Sequence, residues 1–70
     1  AEYYIVFADP PYDLTWLRDI PDLVLGSGVI AKNGFFILEH PKNEHFTSHG
    51  SFFEHRNYGG VNFSFFKPLQ

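Results

Sequence analysis

Residues 3–12 read Tyr3-Tyr4-Ile5-Val6-Phe7-Ala8 followed without a break by Asp9-Pro10-Pro11-Tyr12. The first six show neither polar alternation nor a helical stripe, which predicts a strand buried on both faces. The two prolines end it, because neither can donate to a ladder. Each fixes its own φ and biases its predecessor toward extended backbone, so Asp9 and Pro10 are stiff. With no N–H at positions 10 and 11, the strand tip offers acceptors. A carboxylate beside a carbonyl suits the two hydrogens of an –NH2 group, and Tyr12 adds a π-face on which a base can stack. Asp-Pro-Pro also occurs in ordinary turns. What favours a site is the position, since open α/β sheets bind ligands at the carboxyl ends of their strands. A WW-domain ligand requires Pro-Pro-x-Tyr, and here the tyrosine follows the prolines directly.

Outward from this tip, Trp16-Leu17-Arg18-Asp19-Ile20 predicts a turn or two of helix, with Thr15 or alternatively Asp13 as N-cap. Pro21 suits a first turn better than an interior. The expectation is therefore a break near Ile20 and a second helix from Pro21 to about Ser27, burying Leu17, Ile20, Val24 and Leu25. Gly28 fits the position just past the helix end. Ala31-Lys32-Asn33-Gly34 reads as a turn. Phe35-Phe36-Ile37-Leu38 reads as a second buried strand that ends at Glu39-His40-Pro41. Residues 42–51 read as a polar loop with a helical turn around 43–47. Two further strands, Phe52 to Asn57 and Val61 to Lys67, flank a hairpin turn at Tyr58-Gly59-Gly60. In the last strand Val61, Phe63 and Phe65 share one face, and Asn62, Ser64 and Phe66 the other. Strand, helix and strand form a crossover, so the first two strands should be parallel. The hairpin should add an antiparallel edge, giving a mixed α/β layer.

The 70 residues carry five Lys+Arg against eight Asp+Glu, a net charge of −3 that leaves no basic patch for nucleic-acid backbone. Any phosphate contacts fall to single cations such as Arg56 and Lys67 or to residues outside the chain. The absence of cysteine excludes disulfides and thiolate metal sites. His45 and His49 at i, i+4 spacing, even with His40 and His55, lie without cysteine or a clear carboxylate partner, so no metal site is expected and His45, His49 and His55 are read as solvated. Nothing has the form of a signal peptide or a membrane span, so the expectation is a cytoplasmic protein with no membrane partner. Hydrophobic residues make up 44% and aromatics 20%, with nine phenylalanines, which is too apolar for disorder. Trp16 and the phenylalanines are assigned to the core. With no methionine and a start almost inside a strand, the chain reads as a piece of a longer protein.

Three stretches together resemble the RsmD-type methyltransferases, which methylate a guanine N2 amine in small-subunit ribosomal RNA using S-adenosylmethionine. They are residues 4–12, Gly28-Val29-Ile30 with 34–40, and Arg56-Asn57-Tyr58-Gly59 with 61–66. The tetrapeptide at 9–12 is shared with many amino-group methyltransferases, including DNA adenine enzymes. Glu39-His40 and the Tyr-Gly hairpin narrow the resemblance, which covers nearly all of residues 1–70. It implies a partial Rossmann-like class I methyltransferase sheet, strands four to seven, with a C-terminal antiparallel hairpin. It implies Asp9, Pro10, Pro11 and Tyr12 as catalytic residues. Tyr12, Glu39 and His40 would lie toward the substrate and Asp9 toward the cofactor. A solvated strand terminus is the alternative for Glu39 and His40. The family's glycine-rich cofactor loop has no counterpart, because Gly26-Ser27-Gly28 sits at a helix end. The chain by itself is therefore expected to be inactive. Its other readings are another amino-group methyltransferase or a non-catalytic structural module. The strand at 3–8, without a neighbour on its outer side, is expected to drive self-association.

Overall fold

A computed structural model describes residues 3–10, 16–42 and 44–68. The elements in chain order are β1 (Tyr3–Ala8), a 3-10 turn (Leu17–Asp19), α1 (Ile20–Gly26), β2 (Ile30–His40), β3 (Phe52–Tyr58) and β4 (Val61–Phe66). The strands form a four-stranded sheet in the order β1-β2-β4-β3. β1 and β2 are parallel, and β4 runs antiparallel to both β2 and β3. The crossover and the antiparallel hairpin expected from the sequence are both present. The hairpin inserts β4 next to β2 and leaves β3 outermost.

Local chemistry explains most boundaries. The 3-10 turn merges into α1 at Ile20, and Pro21 occupies the first helical turn, where its missing N–H costs nothing. Neither helical segment has a side-chain bond at its N-cap; the expected caps Asp13 and Thr15 lie outside the described residues. Ser27 closes α1, its hydroxyl donating to the Val24 carbonyl at 2.6 Å. Gly28 follows at φ 76°, the left-handed geometry that ends helices. Gly59 and Gly60 both have positive φ, 57° and 86°, as a tight hairpin matched to the sheet's twist requires.

Four expectations are corrected. Residues 31–34 belong to β2, which runs 11 residues. Their turn signal survives as an irregularity, because Tyr3 pairs with Ile30 whereas Ile5 pairs with Phe35. Gly34 is needed here, since a Cβ would collide with the backbone of Tyr4. Second, β1 is not buried on both faces: Tyr4, Ile5 and Phe7 are exposed. β1 forms one edge of the described sheet, so the apolar run meets too few neighbours to cover it. Third, Trp16 is 48% exposed rather than core. The described part of residues 42–51 contains turns and no helix.

One sheet face carries the core. Phe36 and Leu38 of β2 and Phe66 of β4 are fully buried there, with Leu17, Ile20, Ile30 and Phe46 around them. Phe36 stacks on Phe66 at 5.8 Å, and Phe46, Phe52 and His49 each meet the Phe66 ring nearly edge-on. Each such buried side chain contributes about 1.5–3 kcal/mol through area alone. The opposite face bears Ile5, Phe7, Phe35, Phe63 and Phe65, joined by ring contacts of 6.0–6.2 Å that extend to Phe53 and Tyr58. Among the described residues no helix covers it. The sheet is therefore dry on one side and half-wet on the other.

Candidate functional site

The parallel register decides where the site residues lie. Ala8, the last residue of β1, pairs with Leu38, so Asp9, just past β1, and Glu39, the next-to-last residue of β2, lie at the same carboxyl edge. This is the edge at which open α/β sheets place ligands. Asp9 is exposed and Pro10 half-buried; Pro11 and Tyr12 lie outside the described residues. Pro10 cannot donate, so the tip presents a carboxylate and carbonyls to whatever approaches. Glu39 is half-buried on the aromatic face, following Phe35 and Ile37 in alternation.

His40 points the other way. Its side chain is 1% exposed on the core face, so it is not a solvated terminus. The Pro41 carbonyl can only accept, so Nδ1 carries the hydrogen and donates to it at 2.9 Å. Nε2 is then the acceptor, and the Ser64 hydroxyl donates to it at 2.7 Å. Burial pushes the His40 pKa below its ordinary 6.5, opposed by the Pro41 bond and reinforced by His55. A neutral ring is what this tautomer needs. Phe46 packs against it edge-on at 5.0 Å. The register brings Asp9, Pro10 and Glu39 together, whereas alternation sends His40 into the layer beneath.

Two further histidines make hydrogen bonds, His49 partly buried and His55 exposed to solvent. His49 accepts the Ser51 N–H at 3.0 Å through Nδ1 and donates through Nε2 to Asp22 at 2.7 Å, tying the 41–51 segment to α1. His55 donates to Asn62 Oδ1 at 3.0 Å. No periodic signal in the chain announces these contacts, which join residues 27 and 7 positions apart. Arg56 is held by Glu54 and by the Tyr58 hydroxyl on the outermost strand. Among the described residues no group of His, Asp and Glu is arranged to hold a metal ion. No helix there is long and apolar enough to cross a membrane.

Among the described residues there is no glycine-rich turn leading from a strand into a helix, the element that cradles a cofactor such as S-adenosylmethionine. Gly26 and Gly28 lie at the end of α1 and cannot form a strand-to-helix cradle.

The family model described as "Conserved hypothetical protein 95" matches residues 1–67. Similar folds occur among solved structures. The hypothetical protein TTHA0928 from Thermus thermophilus superposes with a TM-score of 0.78 at 26% identity, covering 94% of this chain and 36% of that protein. The "putative methylase HI0767" from Haemophilus influenzae gives 0.72 at 17% identity, covering 97% and 44%. The "putative methyltransferase yhhF" from Escherichia coli gives 0.69 at 21%, covering 99% and 40%. The chain thus spans less than half the length of each. No curated protein matches it.

Proposed function

We propose, since this chain belongs to the Conserved hypothetical protein 95 (RsmD-type) family, that it is the substrate-positioning part of a methyltransferase acting on an exocyclic nucleobase amine. The observation that carries the reading is the exposed Asp9, followed by the half-buried Pro10 and set beside Glu39 by the Ala8–Leu38 pairing. In this reading β1, β2, β4 and β3 are strands four, five, seven and six of a class I methyltransferase sheet. The substrate is the N2 amine of a guanine in small-subunit ribosomal RNA, and the parent protein works in the cytoplasm.

The chemistry follows from the amine. A guanine N2 lone pair is delocalised into the ring and is a weak nucleophile. Acceptors at Asp9 and the Pro10 carbonyl take its two hydrogens, favour a more tetrahedral nitrogen and aim the lone pair outward. The Asp9 charge also stabilises positive charge developing on nitrogen. S-adenosylmethionine, when bound, supplies an electrophilic methyl group. Tyr12, next in the tetrapeptide, stacks on the base once it has left its own stack, and Glu39 borders the same edge.

The test is methyl transfer by the full-length protein to small-subunit ribosomal RNA. Asp9→Ala should lower turnover by about 10²–10³-fold, the cost of losing one oriented partner of developing charge. Turnover near the wild-type rate would remove Asp9 from the mechanism. Methylation of duplex DNA in place of RNA would move the substrate to the DNA amino-group enzymes.

A further inference from the structure

The β3–β4 hairpin turns at the end of the sheet that carries Asp9. His40, the last residue of β2, pairs with Asn62, and Asn62 pairs with Asn57, so residues 57–62 sit at the carboxyl end of β1 and β2. In the next row Glu39, Phe63 and Arg56 lie side by side across β2, β4 and β3. Tyr58 closes β3 at this edge, paired with Val61. It is 57% exposed, and its ring packs against Phe63 at 6.0 Å. Phe63 also meets Phe7 at 6.2 Å on the aromatic face that carries Glu39, so Tyr58 and Glu39 border one surface.

Two contacts hold the Tyr58 ring in place. Its hydroxyl accepts from Arg56 Nη1 at 3.1 Å, and its inner side leans on Phe63 with the planes 59° apart. Its rotamer freedom is thus restricted before any ligand arrives, which lowers the entropic cost of binding. Gly59 and Gly60 follow it, and the space where their side chains would stand is open. The turn therefore puts no side chain over the ring.

The charges nearby decide how a ligand is recognised. Arg56 also donates from Nε to Glu54, so a carboxylate already matches its charge. With Glu39 in the same row and a net charge of −3 over the chain, this corner has no surplus cation for a phosphate. What it offers is a π-face. A nucleobase stacks on such a face whatever its identity, and stacking releases no counterions. Three strand spacings, about 14 Å, separate β1 from β3, so one base cannot touch both Asp9 and Tyr58.

We infer that Tyr58 is a stacking platform for a nucleobase flanking the one that meets Asp9, so that an unpaired strand crosses the sheet end from β1 to β3. In taking that strand as the substrate, the inference rests on the function proposed above. Tyr58 holds the strand and takes no part in the transfer.

The contact is tested by NMR titration of the isotope-labelled chain with the ribotrinucleotides ApApA and UpUpU, and with ribose 5-phosphate as a baseless control. Both trinucleotides should move the Tyr58 ring protons and the Gly59 and Gly60 amides, and ribose 5-phosphate should not. Affinity should change little between low and high salt, because no phosphate contact carries it. Tyr58→Leu should weaken binding about tenfold or more. Tyr58→Phe lacks the Arg56 bond but keeps the ring, and should bind within about twofold of the wild type. In the full-length protein Tyr58→Leu should lower kcat/KM for ribosomal RNA about tenfold through KM. Five outcomes overturn the inference: no trinucleotide moves the ring, ribose 5-phosphate moves it equally, Tyr58→Leu binds as the wild type does, Tyr58→Phe is as weak as Tyr58→Leu, or affinity falls steeply with salt. If the isolated chain does not stay folded, the KM values of the Leu and Phe variants decide. Loss of activity in Asp9→Ala with no effect at Tyr58 removes the platform alone. Trinucleotide binding at Tyr58 alongside full activity of Asp9→Ala removes the proposed function and keeps the platform.

Discussion

At the scale of single residues, His40 shows how one side chain can be structural next to an exposed strand-end carboxylate. It satisfies Ser64 and Pro41 and lies fully buried against Phe46. Removing it leaves the Ser64 hydroxyl unpaired and opens a cavity. His40→Ala should therefore destabilise by about 2–4 kcal/mol, read from urea unfolding. The same residue gives the chain a pH dependence. Its folded pKa lies below 6.5, so between the two values the unfolded chain binds a proton that the folded chain refuses. Stability is full above about 6.5 and is lost as pH falls toward the folded value, levelling off below it. The urea midpoint of the wild type should drop between neutral and mildly acid pH. His40→Gln should flatten that slope; an unchanged slope would assign it to another group.

Among elements, the most informative is β2. Its first half combines a turn-like composition with strand pairing, and Gly34 reconciles the two by letting the Tyr4 backbone pass at close range. Gly34→Ala should loosen the start of β1 from β2 at a cost of about 1–3 kcal/mol, with faster amide exchange at residues 4–6 and little change in β3 and β4. The hairpin glycines carry a different kind of strain. Gly60 has φ 86° and open space around it, so Gly60→Val should cost about 1–2 kcal/mol through conformation alone, visible as a lower midpoint with the sheet intact. Helix α1 is short and has no side-chain cap at its N-terminus, and it is held by Leu17, Ile20 and the His49–Asp22 bond. It therefore owes its place to tertiary contact, as short helices do.

For the whole molecule, the decisive asymmetry is between the two sheet faces and the two sheet edges. The core face is sealed, whereas the other exposes Ile5 at 59%, Phe7 at 54% and Phe53 at 41%. β1 pairs with β2 on one side only. An apolar strand with unpaired backbone groups on its outer side is a template for pairing, and chains of this length hold only a few kcal/mol in reserve. We propose that two copies associate through β1. Sedimentation should show concentration-dependent association that Ile5→Lys together with Phe7→Lys suppresses. A monomer at every concentration, with slow exchange throughout residues 3–8, would rule this out.

Residue order alone was enough for the strand–helix–strand–hairpin succession, the parallel start of the sheet, the glycine-built turns and the end of β1 ahead of Asp9-Pro10. Each of these is written in local chemistry: proline geometry, positive-φ glycines and runs of β-formers. Packing in three dimensions was needed to establish that β4 rather than β3 lies against β2, that residues 31–34 pair as strand, and that β1 is half-exposed. Packing also set His40 and Glu39, adjacent in the chain, on opposite faces with different surroundings. Those facts depend on which partner fills the space beside a residue. Local composition carries no record of a neighbour that lies dozens of residues away.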